Sequence, residues 1–250
     1  MLAKFTKFPP FGKLVDQLLF NGDDLIYLPM DTTIQINEPI SRSKEIVLPS
    51  DIVEYFINQA DYHWIMDFCI CRSANHCQDF PEDLGCIFLG EAVNQINPQL
   101  GRMVTTSEAI EHAQRCRDVG LVHMIGRNKL DTVWLGAGPP DKLMTICNCC
   151  PCCCLWKFLP DINNIIGDKV SKMPGVEINV TDLCVGCGFC LDSICFVDSI
   201  HLVDGKALID QTCRGCGRCV VVCPNNAIVI ILTNPNFGFE VIDRISISLD

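Results

Sequence analysis

A cysteine repeat near the C-terminus constrains this chain more than any other feature. The segment VTDLCVGCGFC at 180–190 is echoed by DQTCRGCGRC at 210–219, and each copy precedes another cysteine and a short strand-like stretch. Three equally spaced thiolates in one tight loop can converge on a cube of iron and sulfide, because glycines between them let the backbone wrap closely. Zinc sites usually pair two separated C-x2-C elements instead. The repeat therefore predicts two iron–sulfur clusters.

The distribution of cysteines also indicates their redox state. Nineteen cysteines occur in 250 residues, and all but Cys116 fall into four clumps. A disulfide scaffold is more typical of a short secreted chain that follows a cleavable leader. Here Lys7, Pro9 and Lys13 interrupt the apolar character of the N-terminus, and no cleavage site follows. We therefore expect a cytoplasmic protein whose thiols are held as metal ligands.

Charge and hydropathy exclude several classes of partner. Thirty acidic and nineteen basic residues give a net charge of -11, which disfavours nucleic acid but allows docking onto basic patches of redox enzymes. No apolar run reaches the roughly 18 to 20 residues of a transmembrane segment. Packing of the aromatic N-terminus onto protein is favoured over membrane-surface docking. The loop at 136–140 lacks a third glycine, so flavin or nicotinamide binding gains no support.

The repeat resembles the bacterial two-cluster 4Fe-4S ferredoxins over residues 178–232. In that family the fourth cysteine of each run binds the other cluster. The resemblance implies one cluster held by Cys184, Cys187, Cys190 and Cys223, and another held by Cys213, Cys216, Cys219 and Cys195. The first run departs from the pattern, since four residues rather than three precede Cys195 and Phe196 replaces the usual proline.

Ten further cysteines lie upstream of the repeat. They are Cys69, Cys71, Cys77, Cys86, Cys147, Cys149, Cys150, Cys152, Cys153 and Cys154. Adjacent cysteine side chains tend to diverge, so such dense runs suggest ligands to two clusters or to one unusually large cluster. One or two further iron–sulfur clusters are therefore expected in this part of the chain.

Three interpretations of these ten cysteines remain open. The first is two ordinary cubanes that extend the ferredoxin electron path. The second is a substrate-facing or non-cubane cluster, which resembles the cysteine-rich subunits of heterodisulfide reductases, although their duplicated glycine-containing motif is absent. The third is structural zinc, or a thiol-rich segment that is only partly metallated.

The predicted fold class is α+β, with a small cysteine-rich mixed domain at 1–159, a connection at 160–177, and a two-cluster ferredoxin-like domain with a C-terminal extension at 178–250. Apolar spacing predicts helices that begin at Asp51, Cys86 and Thr105, with capping boxes at the first and third. Strands are expected at 24–29, 121–125 and 132–135.

Function follows from the predicted clusters. The whole-chain pattern resembles ferredoxin-domain proteins of strict anaerobes and methanogens. That resemblance implies an electron carrier or subunit that serves a larger anaerobic oxidoreductase complex or a reductively activated methyltransfer system. The alternative is a reductase whose N-terminal cysteines reduce a disulfide or corrinoid; a zinc-stabilised interaction module is a third, non-redox class. No catalytic residue is predicted.

Arg214, Arg218 and Cys116 lie outside the predicted ligand sets. Arg214 and Arg218 flank ligands of the second cluster. If their charges lie near it, the two clusters should have unequal reduction potentials; the alternative is that both side chains point into solvent. Cys116 is expected on a buried helix face, and neither His76 nor His123 is predicted to be a ligand.

Overall fold

Helices and strands alternate along the chain, in agreement with the predicted mixed composition. The computed structural model describes residues 2–31, 34–35, 48–192, 194–234 and 236–246. The strands are Asp24–Tyr27 (β1), Ile34–Gln35 (β2), His63–Met66 (β3), Ile87–Leu89 (β4), Gly101–Met103 (β5), Val122–Arg127 (β6), Met144–Cys149 (β7), Val170–Lys172 (β8), Val176–Val180 (β9), Ile200–Val203 (β10), Lys206–Ile209 (β11) and Ile228–Leu232 (β12). The α-helices are Pro9–Val15 (α1), Pro49–Gln59 (α2), Ile70–Ala74 (α3), Thr106–Asp118 (α4), Lys129–Leu135 (α5), Asn164–Gly167 (α6), Arg218–Val222 (α7) and Phe237–Ser246 (α8). Within these described ranges no helix has the length and apolar character needed to cross a bilayer.

A seven-stranded sheet forms the centre of the fold. Its order is β5-β3-β4-β7-β6-β1-β8, and all neighbours are antiparallel except β1 and β8. The register aligns Ile87, Ile146, Ile125 and Ile26 in one row across four adjacent strands. All four side chains are fully buried. β-branched residues pack well on a pleated surface, so this row gives the sheet one continuous apolar face.

Helices α2, α4 and α8 cover that isoleucine face. Phe56 of α2, Ala113 of α4 and Val241 of α8 belong to the same buried cluster as the isoleucines. Arg244 on α8 forms an ion pair with Asp24 of β1, which ties the C-terminal helix to the sheet. The final helix is therefore part of the sheet's core.

The opposite face of the sheet bears cysteine. Successive side chains of a strand point to opposite faces, so Cys147 and Cys149 of β7 lie opposite Ile146. The register pairs Cys147 with Met124 and Met124 with Tyr27, which forms a second row across three strands. The strand period thus separates a helix-covered face from a thiol-bearing face.

The C-terminal repeat packs directly against this sheet. Strand β12 lies between β2 and β9 in a three-stranded sheet, and β10 and β11 form a hairpin. Ile230 of β12 and Val176 of β9 belong to the buried cluster that contains Phe56. The predicted connection at 160–177 contributes β8 to the large sheet. The division of the chain at 160–177 stays a prediction.

Several expected elements form as predicted. Strands cover most of 24–29 and 121–125, and Thr105 and Glu108 make the expected capping box, with the Glu108 amide donating to the Thr105 hydroxyl at 3.3 Å. Gly120 follows α4 with a φ of +79°, a left-handed conformation suited to glycine.

Other expectations were wrong. The helix expected to begin at Cys86 is strand β4 followed by a 3-10 turn at Glu91–Gln95, because β4 is paired on both sides by β3 and β7. The strand expected at 132–135 is part of α5, whose first turn is capped by the Asn128 side chain. Asp51 lies inside α2, where its carboxylate accepts from the Leu48 amide at 2.6 Å.

Packing of α8 is tested by two phenylalanines on the same helix. Phe237 is 2% exposed and Phe239 is 58% exposed. We expect Phe237→Ala to lower the free energy of unfolding by about 3–5 kcal/mol, because it leaves a cavity in the core. Phe239→Ala, the matched control, should change it by less than about 0.5 kcal/mol. Denaturant midpoints followed by circular dichroism under oxygen-free conditions measure both, and equal effects would contradict the packing of α8.

Candidate metal centres

The first cavity in the C-terminal repeat is surrounded by four cysteines. Its empty space is about 350 Å³, and its cysteine lining is Cys184, Cys187, Cys190 and Cys223. Gly186 has a φ of +66°, and an added Cβ there would meet the Gly205 carbonyl oxygen at 2.1 Å. Only glycine therefore allows this loop to lie against the β10–β11 hairpin.

The second cavity has the complementary cysteine set. Its empty space is about 330 Å³, and its cysteine lining is Cys195, Cys213, Cys216 and Cys219. Each cavity thus combines three cysteines of one run with the fourth cysteine of the other. This grouping matches the crossed assignment implied by the ferredoxin resemblance, while the binding role of each cysteine stays a prediction.

The extra residue before Cys195 leaves the geometry of that cysteine intact. The Ser199 amide lies 3.4 Å from the Cys195 Sγ, and the Ala227 amide lies 3.3 Å from the Cys223 Sγ. In both halves the amide donor is four residues after the fourth cysteine. The insertion is therefore absorbed before Cys195, whose local environment repeats that of Cys223.

The environment of these thiols fits a metal-bound group. Amides of Ala207 and Gly186 donate to the Cys184 sulfur and lower its pKa. Burial raises the pKa of Cys216 to about 12 and raises that of Cys219. Buried thiolates of this kind require a bound cation, whose binding displaces the protons. Closely wrapped loops with N–H donors to sulfur are what a 4Fe-4S cluster requires.

Neither arginine beside the second cavity points freely into solvent. Arg214 lines that cavity and donates to the carbonyl oxygens of Thr212 at 3.1 Å and Gly167 at 3.2 Å. Arg218 donates to the Gly120 carbonyl oxygen, and its guanidinium lies 5.5 Å from the centre of the Phe80 ring. Both cations are therefore fixed between the repeat and the rest of the chain.

The N-terminal cysteines divide into two groups, of which the larger surrounds a single cavity. That cavity has about 1060 Å³ of empty space. Eight cysteines line it. Cys150 and Cys153 also belong to the second group, and the six that do not are Cys69, Cys71, Cys86, Cys147, Cys149 and Cys154. They come from the start of α3, the residue before β4, the thiol-bearing face of β7 and the turn after it.

These six thiols are crowded enough to perturb one another. A hydrogen bond from the Cys71 thiol, together with the nearby Arg72 guanidinium, lowers the pKa of Cys69. Hydrogen bonds between neighbouring thiols and burial raise the pKa values of Cys86 and Cys147. So many buried sulfurs cannot all be thiolates without a multivalent cation among them.

The smaller group consists of four thiols that converge on one point. The Sγ atoms of Cys77, Cys150, Cys152 and Cys153 all lie within 4.8 Å of one another. Cys77 and Cys152 are 3.5 Å apart at sulfur. Burial raises the pKa of the Cys77 thiol, whereas amide hydrogen bonds from Asp79 and Phe80 help to lower it, and the net shift is downward. This group can hold a metal ion.

Three polar residues beside these centres were not found from the sequence. Arg72 is fully buried and donates to the Asn148 carbonyl oxygen at 2.8 Å. The Asp131 carboxylate, in the lining of the larger cavity, accepts from the Trp134 indole at 2.9 Å and the Thr145 hydroxyl at 2.7 Å. Tyr27 is fully buried, and its hydroxyl has no hydrogen-bond partner among the described residues.

A sequence signal existed for only part of this arrangement. Two cysteines spaced two apart, as in Cys147-x-Cys149, lie on one face of a strand. No local pattern marks Tyr27 or Asp131, because strand pairing brings Tyr27 beside the thiols and a hydrogen bond from Thr145 of β7 holds Asp131 of α5 there.

Residues left unassigned from the sequence stay outside both groups. Cys116 is fully buried on α4, as expected. His76 is exposed and does not belong to the converging group of four. His123 is buried, its Nδ1 lies 2.8 Å from the Asn148 side-chain oxygen, and burial lowers its pKa to about 4.

Comparison with known proteins identifies one family within the chain. Residues 208–229 match the model of the 4Fe-4S binding domain family. No curated protein and no solved structure matches the chain. The matched segment contains Cys213, Cys216, Cys219 and Cys223, so residues 208–229 form a 4Fe-4S binding domain.

Proposed function

We propose that this protein is an iron–sulfur electron carrier or subunit that passes low-potential electrons to or from a larger anaerobic oxidoreductase or a reductively activated methyltransfer system. One observation carries the proposal: two crossed sets of four cysteines surround two cavities of similar size, with amide donors directed at their sulfurs. When bound there, 4Fe-4S clusters supply one-electron chemistry. Abundant free thiols also fit a reducing cytoplasm.

The first cavity is suited to exchange with an external partner. Cys187 in its lining is exposed. Large apolar side chains on and beside the same loop are also exposed, namely Leu183, Val185, Phe189, Leu191 and Leu202. An apolar patch of this kind on a chain of net charge -11 suits a redox protein that presents an apolar centre with a basic rim.

The second cavity faces inward, toward the N-terminal thiols. Cys216 packs against the buried cluster that contains Tyr27 and Cys149. The Tyr27 ring lies 5.4 Å from the ring of Phe196, the residue after Cys195. Tyr27 is also two strands from Cys147, about 10 Å at the usual strand spacing. The Tyr27 and Phe196 side chains exclude water between the thiols of the second cavity and those of the six-thiol cavity. They would make a direct connection for electrons between these two places.

Metal and sulfide content test the proposal on the full chain. Protein purified without oxygen should contain at least about eight irons and eight sulfides, because each ferredoxin-type cluster has four of each. Its visible absorbance should fall on reduction with dithionite and return on reoxidation. A colourless protein without acid-labile sulfide would rule out the electron-transfer function.

The crossed ligand set is tested at its least regular position. Cys195→Ala should remove between about one and four irons per chain, because it takes one thiolate from only one of the two clusters. The electron paramagnetic resonance (EPR) signal of the other cluster should persist. Cys116→Ala is the matched control, since Cys116 is buried and lines neither ferredoxin-type cavity, and should retain all its iron. Unchanged iron content in the Cys195 variant would contradict the assignment of this cysteine.

A second candidate function is reduction of a substrate at the six-thiol cavity. Its empty space of about 1060 Å³ exceeds the roughly 350 Å³ of the ferredoxin-type cavities. Its lining also contains the Asp131 side chain, whose pKa is raised by burial. Reduction of a disulfide to two thiols consumes two electrons and two protons, and a carboxyl with a raised pKa is a suitable proton donor.

Reoxidation of the reduced protein distinguishes a reductase from a carrier. Cystamine and cobalamin serve as the disulfide and corrinoid probes, added after excess dithionite has been removed. A reductase should be reoxidised by one of them, and Asp131→Asn should slow that reaction at least about tenfold by removing the proton donor. Asp141→Asn, an exposed control on the following loop, should leave the rate unchanged. If neither probe reoxidises the protein or alters its EPR spectrum, the reductase is excluded and the carrier remains.

A further inference from the structure

We propose that Cys77, Cys150, Cys152 and Cys153 bind one zinc ion in a closed tetrahedral site that is separate from every iron–sulfur cluster. This site goes beyond the electron-transfer function and does not depend on it. It would make the ion a structural element that joins the N-terminal cysteine loops.

Distances between the sulfur atoms distinguish a single ion from a cubane. Four thiolates at about 2.3 Å from one tetrahedral zinc ion lie about 3.8 Å from each other. In a cubane each thiolate binds a different iron at a corner of the cube, so the thiolates are separated by roughly 6 Å or more. All four Sγ atoms here lie within 4.8 Å of one another, and one pair is 3.5 Å apart. The group is therefore too compact for a cubane.

The local chain geometry explains how this group forms beside the six-thiol cavity. Cys149 is the last residue of β7 and Cys150 is the next residue, so strand alternation turns them apart. Cys150 reaches the compact group while it still borders the cavity that Cys149 lines. Cys154 belongs to the other group. Its amide donates to the Cys150 carbonyl oxygen at 3.3 Å, and the turn that this bond closes brings Cys152 and Cys153 together. Two of the three adjacent cysteine pairs thus diverge, as expected, and supply two separate centres.

Charge around the four sulfurs matches a divalent ion. Four thiolates and one zinc ion have a net charge of 2 - 4 = -2. Two guanidinium groups are close enough to Cys150 to interact with its charge, namely those of Arg72 and Arg218. The Nε atom of each is buried and has no hydrogen-bond partner in the described part of the chain. Arg72 also interacts with Cys69 and Arg218 with Cys216, so each cation lies between this anionic site and a neighbouring cysteine group.

The same contacts indicate a structural rather than a redox role. A tetrahedral ion with four protein ligands has no open position for a substrate. Phe80, three residues after Cys77, packs with these cysteines and lies beneath the Arg218 guanidinium. Arg218 begins α7 in the 4Fe-4S binding domain. The zinc site would thus fix the loop that receives this domain and leave six thiols for an iron–sulfur cluster.

The wild-type chain allows a test that no folding defect can obscure. Protein purified without oxygen should contain about one zinc ion per chain in addition to its iron. X-ray absorption at the zinc edge should give four sulfur neighbours at about 2.3 Å and no iron neighbour. The proposal would be overturned if the protein contained no zinc, if the zinc had nitrogen or oxygen ligands, or if an iron atom lay next to it. Missing sulfide with zinc still present would instead refute only the electron-transfer function.

A pair of cysteine variants locates the ion. Cys152→Ser should lose the zinc and retain its iron and sulfide, because this residue contributes to the compact group alone. Cys116→Ala, a neighbouring control that packs against Cys150 without belonging to the four converging sulfurs, should retain zinc, iron and sulfide. Loss of iron and sulfide with retention of zinc in the Cys152 variant would identify a cluster ligand and overturn the proposal. If the variant does not fold, the absorption measurement on the wild-type chain decides.

Discussion

Crowding of buried sulfur is the constraint on which the rest of the structure depends. Burial and neighbouring thiols raise the pKa of Cys147, and burial raises that of Cys216 to about 12. Thiols in such places become ligands only when a cation replaces their protons. The fold gathers its cysteines accordingly, with four around each cavity of the repeat and four in the N-terminal part whose sulfurs lie within 4.8 Å of one another.

The central sheet brings these groups together. Its row of isoleucines fixes one face against helices, which leaves the alternate side chains of β1, β6 and β7 on the other face. Tyr27 and Cys147 lie on that second face, and the 4Fe-4S binding domain packs beside it through Cys216. Contact between the two cysteine-rich regions is thus a consequence of strand register, and the proposed electron exchange between them rests on it.

Arginine links the two regions in a second way. Arg218 belongs to the repeat, yet it contacts the Gly120 carbonyl oxygen and the Phe80 ring in the N-terminal part of the chain. Its charge interacts with both Cys216 and Cys150. A cation placed between two anionic centres stabilises both and opposes their mutual repulsion. Removal of this contact would affect both centres together.

The sequence by itself determined the 4Fe-4S binding domain at 208–229 and predicted its partner run, because a short cysteine spacing with glycine constrains a loop whatever surrounds it. Locally encoded elements were also predictable, as the Thr105–Glu108 capping box and the strand at Asp24–Tyr27 illustrate. Only the tertiary structure decided which N-terminal cysteines meet, because Cys77 and Cys152 are 75 residues apart. It also made β4 a strand where apolar spacing predicted a helix, since pairing on both sides outweighs local preference. Non-local contacts, whether strand pairing as at Tyr27 or a side-chain hydrogen bond as at Asp131, have no signature in a short window of sequence, so both residues were recognised only in the folded chain.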